Sequence, residues 1–316
     1  MKIVIITQGV SRVFEPLIQS GHEVIGVIES ASRGHRSPSK FRIIIASLIA
    51  VMRRQVSLKK HCCNNGIPYA LFTDESKDFI RDWLKSISPD IMVVYSMSQL
   101  LTEDIFTVPR LGTINLHTSY LPDYRGPNPD FWQYVNLEMN PGVTVHFVDK
   151  GEDTGDIIAQ DRCFIALGTK SSERLDQLVG DVGVRLLLKA LNDLEVGDVR
   201  RVPQPKLSPT MRARNIKLSE HSKVIDWNSW SLEKIWHVLR GTESWLDAIP
   251  SPKGLLKGQR WQIEEYSHGE ALNSQVPGKI YSEGKKKFVA CRDGRIYITA
   301  KFKFSSFVKS FFAKWL

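Results

Sequence analysis

Apolar and polar positions alternate in two different textures along the chain. Up to about residue 201, strand-like runs at 2–7, 23–29, 90–95, 112–117 and 142–149 are interleaved with segments at 11–20, 74–87 and 128–139. In those segments apolar residues recur at helical spacing. The alternation predicts a mostly parallel α/β sheet with helices on its faces. A further strand is expected at 157–166, then a helix at 171–194 with Ser171 or Ser172 as N-cap. Three prolines within 202–209 predict a linker over 202–215. Beyond it, 226–240 reads as a capped amphipathic helix. Short runs at 259–266, 277–283, 287–291 and 295–300, separated by Gly turns, have the pattern of a small β-barrel. The expected units are 1–201, 216–303 and an amphipathic basic tail, 304–316.

The run Gly112-Thr-Ile-Asn-Leu-His117 concentrates the candidate chemistry. Strand alternation turns Asn115 and His117 the same way, so an amide donor and a titratable imidazole share one space. Acyl transfer needs a donor aimed at the developing oxyanion and a group that manages a proton near neutral pH. Asp153, in the turn Gly151-Glu-Asp-Thr-Gly-Asp156, is the candidate carboxylate. Taken alone, buried Asn and His residues more often satisfy nearby backbone groups, and an Asp in such a turn more often shapes it. His146 reads as a hydrogen-bonded structural histidine.

Asn115-Leu-His117, Ser119-Tyr-Leu-Pro122, Tyr124-Arg-Gly126, Gly142-Val-Thr and Asp153-Thr-Gly-Asp156 occur in an order that resembles the folate-dependent formyltransferases. The resemblance covers about residues 88 to 160. It implies a Rossmann-like catalytic domain over 1–201 and a C-terminal OB-like barrel. It also implies direct transfer of a formyl group from 10-formyltetrahydrofolate to a primary amine, with Asn115, His117 and Asp153 as the catalytic set. Val94, Tyr95, Ser96 and Met97, with Asp149, Lys150, Gly151 and Glu152, match regions flanking the pterin in relatives. Ser119, Tyr124, Arg125, Gly126 and Trp132 are the expected acceptor-side residues; Arg125 offers paired donors to an anion. No metal is expected.

The resemblance leaves the acceptor open. Arg125-Gly-Pro-Asn-Pro-Asp-Phe-Trp132 resembles the branch acting on nucleotide-linked amino sugars, and the N-terminus lacks the Gly-Thr-Pro-x-Phe-Ala pattern of the methionyl-tRNA branch. The first reading is therefore an amine on a nucleotide-linked sugar, for surface polysaccharide synthesis. The second is methionyl-tRNA, suggested by the C-terminal domain and by the basic stretch Ser32-Arg-Gly-His-Arg-Ser-Pro-Ser-Lys40. A third, of another class, is a nucleic-acid or membrane binding protein.

Composition narrows the classes. With 42% hydrophobic and 24% charged residues the chain reads as folded and globular rather than disordered. The four cysteines form no disulfide framework, and the N-terminus enters a strand with no signal-like segment, so a cytoplasmic setting is expected. The apolar run 41–52 contains Arg42 and falls short of the roughly 20 residues that span a bilayer. Charge is the more informative quantity. The net +9 is concentrated in 31–60 and in the tail from Lys301, neither of which contains an acid. Such segments attract nucleic acid, a pyrophosphate or an anionic surface. Peripheral membrane contact through the tail and a homodimer are further expectations. No Gly-x-Gly-x-x-Gly follows the first strand, and neither a phosphate-binding Gly-Lys loop nor a Gly-x-Ser-x-Gly elbow occurs, which disfavours nicotinamide, ATP and serine-hydrolase chemistry.

Overall fold

The computed structural model describes residues 1–31, 57–269 and 275–311. The apolar run 41–52 and the whole basic stretch 32–40 lie outside them. Seven strands, β1 (Lys2–Thr7), β2 (Glu23–Ser30), β3 (Tyr69–Phe72), β4 (Ile91–Tyr95), β5 (Thr113–His117), β6 (Gly142–Phe147) and β7 (Ile157–Arg162), form one sheet. Their order is β3-β2-β1-β4-β5-β6-β7. The first five run parallel, while β6 and β7 are antiparallel additions. Isoleucine and valine dominate β1 and β4 because both faces of these central strands are covered. Ile3 and Ile5 point into one apolar cluster with Ile114 and Leu116, and Val4 and Ile6 into another with Met92 and Val94.

Helices α1 (Phe14–Ile18), α2 (Leu58–Asn64), α3 (Lys77–Ile87), α4 (Glu103–Phe106) and α5 (Pro129–Val135) alternate with these strands. The helix expected at 171–194 is realised in three parts: α6 (Ser171–Leu175), a π-helical stretch Asp176–Gly183 and α7 (Val184–Val196). The N-cap is Lys170 rather than a serine, and its N–H reaches back to Glu173 Oε2 at 3.3 Å. At Gly183 a Cβ would lie 3.1 Å from Leu116 Cδ2, so the wide turn passes close over β5.

The C-terminal part is a four-stranded antiparallel sheet of β8 (Gln262–His268), β9 (Ile280–Glu283), β10 (Lys286–Cys291) and β11 (Gly294–Thr299), ordered β8-β11-β10-β9. Helix α8 (Leu232–Thr242) packs on it and starts later than 226: Ser231 is its N-cap, and Asp226 instead closes a turn with the N–H groups of Asn228 and Ser229. Helix α9 (Phe304–Phe311) lies close against the Gly258 turn, where a Cβ would meet Ser310 Cβ at 2.4 Å. Among the described residues no helix is long and apolar enough to cross a membrane.

One helix ties the two sheets together. Phe131 of α5 is buried in the cluster formed by Leu232, Ile235 and Val238 with Ile263, Val289 and Ile296, and Trp132 packs on the same cluster. Gly241 of α8 admits the Tyr134 ring so closely that a Cβ there would stand 2.1 Å from Tyr134 Cε1. The Tyr134 hydroxyl donates to Thr169 O at 2.9 Å, which leaves the ring little freedom to retreat. Gly241→Ala is therefore expected to lower stability by about 1–3 kcal/mol through overpacking. Gly180→Ala, where a Cβ meets nothing within 4 Å, should leave it nearly unchanged. Urea unfolding midpoints of the two variants check the contrast.

Candidate active site

The carboxyl end of β5 opens onto a cavity of about 230 Å³. Ligands of open α/β sheets bind at such strand ends. In the β5–β6 register Asn115 stands opposite His146 and His117 opposite Thr144, so the antiparallel partner adds a second imidazole to the same face. Asp153 arrives from the loop between β6 and β7 with φ of 55°, a left-handed conformation that Asp tolerates better than most residues. Two glycines allow the approach. A Cβ at Gly155 would lie 2.0 Å from Phe147 O, and one at Gly126 would lie 2.9 Å from Ala213 O.

Asp153 is the hub of the contacts. Oδ2 accepts the Gly126 N–H at 2.9 Å and stands 3.6 Å from His117 Nδ1. Oδ1 stands 3.6 Å from His146 Nε2 and 3.5 Å from Asn115 Nδ2. Burial alone would raise the Asp153 pKa. Positive charge on His117 and on His146 when their rings are protonated, together with the Gly126 N–H, outweighs it and holds the carboxyl well below the usual carboxylate range. Asp153 is thus an anion at every pH near neutrality.

Backbone carbonyls assign the imidazole protons. His117 Nε2 lies 3.1 Å from Tyr124 O and His146 Nδ1 lies 2.8 Å from Phe147 O. A carbonyl only accepts, so each of these nitrogens carries a proton. In the neutral rings His117 Nδ1 is then a free acceptor beside Asp153, and His146 Nε2 accepts from Asn115 Nδ2 at 3.1 Å. The second N–H of that amide has only the long contact to Asp153 and is the one released most easily for a ligand oxygen.

A strap made of 202–214, the segment read as a linker, holds these loops. Gln204 Nε2 donates to Asp153 O at 3.1 Å and to Gly155 O at 2.7 Å, while its Oε1 accepts from Arg125. Thr210 Oγ1 accepts the Tyr124 N–H, Ser208 Oγ donates to Pro122 O, and Arg212 pairs with Glu152. Nothing in the pattern of the segment announces this beyond the three prolines that keep it extended.

The expected residues divide by position. Asn115, His117, Asp153, Val94, Tyr95, Ser96, Met97, Asp149, Gly151, Glu152 and Gly126 all line the cavity. Five others are not brought into it. Lys150 is exposed and paired with Glu103 at 3.0 Å; Ser119 is buried and donates to Asp123 O at 2.6 Å. The Tyr124 hydroxyl faces Asn136, and the Trp132 Nε1–H is taken by Arg214 O. Arg125 is 7% exposed, and four of its five guanidinium N–H groups are given to Gln204 Oε1 and the carbonyls of Pro205 and Lys206. Conversely, His146, Thr118, Asn128 and Asp130 line the cavity although sequence reasoning did not select them. For His146 a signal existed: it shares the alternation of Thr144 on its strand, but its partner could not be known before the antiparallel register was.

Residues 1–191 match the family model described as formyl transferase. Methionyl-tRNA formyltransferase of Clostridium beijerinckii is 32% identical over 225 residues, which cover 71% of this chain and 70% of that protein. HypX from Aquifex aeolicus, solved in complex with tetrahydrofolic acid, is similar with a TM-score of 0.60 and 16% identity; the alignment covers 95% of this chain, which spans 43% of HypX. WlaRD, a sugar 3N-formyl transferase solved in the presence of dTDP and 5-N-formyl-THF, gives a TM-score of 0.62 at 18% identity, covering 96% of this chain and 98% of its own. These structural likenesses extend over both sheets and show a shared fold. The family match over well more than half of the 316 residues, with the Clostridium relative across more than two thirds of the chain, establishes that this chain belongs to the formyl transferase family.

Proposed function

We propose that the chain transfers a formyl group from 10-formyltetrahydrofolate to a primary amine. The observation that carries this reading is the meeting of Asn115, His117 and Asp153 at one end of the β5 cavity. The cavity also suits a folate. Val94, Met97, Leu101 and Val148 give apolar walls for a flat ring, and residues 95–99 with Asp149, Gly151 and Glu152 border the same space. Folate ligands in WlaRD and HypX accord with it.

In this mechanism the amine nitrogen bonds to the formyl carbon, and the carbonyl π electrons move onto oxygen. The Asn115 amide gives up its long contact with Asp153 and donates to that oxyanion. His117 Nδ1 takes the proton lost by the attacking amine, and the imidazolium forms beside the Asp153 carboxylate, which stabilises it. As the oxyanion collapses, the carbon–N10 bond breaks and N10 receives the proton. His146 holds the Asn115 amide through its Nε2, and the Phe147 carbonyl keeps that nitrogen an acceptor.

For the acceptor we infer an amine on a nucleotide-linked sugar. Pro127, Asn128 and Pro129, from the segment that resembles the amino-sugar branch, line the cavity directly. The similarity to WlaRD over nearly the whole of both chains supports this reading. The second reading, methionyl-tRNA, has its own observation in the 32% identical Clostridium relative.

With 10-formyltetrahydrofolate, purified enzyme is expected to formylate members of a panel of nucleotide amino sugars and to leave charged initiator tRNA untouched. Efficient formylation of the tRNA alone overturns the acceptor, and transfer to no amine overturns the reaction. Asn115→Ala, His117→Ala and Asp153→Ala should each lower kcat/KM by about 100- to 10,000-fold with the folded state retained. Near-normal turnover in Asp153→Ala removes its role. The Asp153 carboxyl also gives a pH signature. Because its folded pKa is depressed, it stabilises the fold fully above its unfolded value of about 3.9 and loses that contribution as pH falls. The stability difference between native protein and Asp153→Asn should be larger at pH 5 than at pH 3, as read from urea midpoints.

A further inference from the structure

Asp130 lies on the cavity wall formed by the start of α5, among the residues that surround the reacting groups. A closed ring of contacts fixes it. Thr118 Oγ1 donates to Asp130 Oδ2 at 3.2 Å, and Thr118 O accepts from Gln133 Nε2 at 3.0 Å. Gln133 Oε1 accepts from Arg174 Nη2, and Arg174 Nε stands 3.6 Å from Asp130 Oδ1. Arg174 is only 1% exposed and its guanidinium rests 4.9 Å from the centre of the Tyr134 ring.

Arg174 does not consume the carboxylate. Oδ1 is enclosed and makes no hydrogen bond among the described residues, yet the Asp130 side chain as a whole is 30% exposed. With Oδ1 enclosed, Oδ2 is the carboxylate oxygen left for a ligand in the cavity that Asp130 lines. Among the described residues only the Thr118 hydroxyl binds it, and a carboxylate oxygen accepts more than one donor. The position is also preorganised, because its members come from three places in the fold: Thr118 directly after β5, Asp130 and Gln133 on α5, and Arg174 on α6.

We propose that Asp130 Oδ2, steadied by Thr118, is the acceptor-recognition group of this cavity, taking an N–H or O–H donor that neighbours the amine to be formylated. This deepens the formyl-transfer reading and rests on it. Burial pushes the Asp130 carboxyl up, opposed by Arg174 and Thr118, while Asp153 is held down. Two carboxylates in one cavity are thus set apart for different tasks. Asp153 stays with the imidazoles; Asp130 faces the incoming substrate. An acceptor bearing a hydroxyl or ammonium beside its reacting nitrogen satisfies Asp130, and one with only carbon there leaves it desolvated and unpaired.

The test compares wild type, Asp130→Asn and Thr118→Val, using 10-formyltetrahydrofolate with the panel of nucleotide amino sugars, dTDP-3-aminofucose among them, and with charged initiator methionyl-tRNA as acceptor probes. Folinic acid binding is titrated in parallel. Asp130→Asn keeps the ring sterically intact, and Thr118→Val leaves the Asp130–Arg174 pair in place should loss of that charge disturb folding. KM for the acceptor that wild type formylates should rise about 10- to 100-fold in Asp130→Asn. It should rise less in Thr118→Val, with kcat changing less than KM and folinic acid affinity kept within about twofold. Unchanged acceptor KM in both variants overturns the assignment. So does a parallel fall in folinic acid affinity, which would mark a structural role. Absence of wild-type transfer to every probe instead contradicts the formyl-transfer reading, and this inference falls with it.

Discussion

A carboxylate held ionised inside the protein is the constraint on which the site depends. Asp153 is 14% exposed, and burial alone would favour its neutral form. Two imidazoles in their protonated form and one backbone N–H reverse that preference, and each comes from a different element: His117 from β5, His146 from β6, the Gly126 N–H from the loop before α5. The arrangement forms only if β6 runs antiparallel to β5 with Asn115 opposite His146. It further requires Gly126 and Gly155 where the chain passes within contact of other backbone. Sheet topology, glycine placement and site electrostatics are therefore one requirement rather than three.

The same economy links the site to the C-terminal sheet. In the short helix α5, Asp130 faces the cavity and contacts α6, while Phe131 and Trp132 join the apolar cluster of α8 and the second sheet. The strap then passes over the site, where Gln204 grips the Asp153 loop and Arg125, and runs on to Arg214, whose carbonyl receives Trp132. A disturbance of the C-terminal packing has a short covalent and hydrogen-bonded route to the catalytic carboxylate. The acidic and basic groups along that route are mostly committed: Arg125 to carbonyls, Arg212 to Glu152.

Much of the fold was legible because the signal was local. Apolar runs placed β1, β2, β4, β5 and β6, and the spacing of Asn115 and His117 correctly set them on one face. Elements too short for a periodic signal were not: β3 has four residues and α4 has four. The 171–194 pattern gave no hint of the π turn, at the end of which Gly183 lies close over Leu116. In the site, residues whose role follows from chain direction were visible, and those whose role follows from pairing were hidden. His146 depends on strand register, Gln204 on the path of the strap. Asp130 depends on a buried arginine more than forty positions away. Arg125 and Trp132 looked like ligand contacts because their chemistry suits one; tertiary partners take four of the five Arg125 N–H groups and the Trp132 indole N–H.

The proton positions on the two imidazoles express the whole arrangement. Nitrogen-15 correlation spectra of the histidine rings at mildly alkaline pH read them directly. His146 should appear as the Nδ1–H tautomer and His117 as the Nε2–H tautomer, with the nitrogens facing Asp153 unprotonated in the neutral rings. A proton on His146 Nε2 in place of Nδ1 would mean that Asn115 is not held by that nitrogen, and the account of how the site is organised would be wrong.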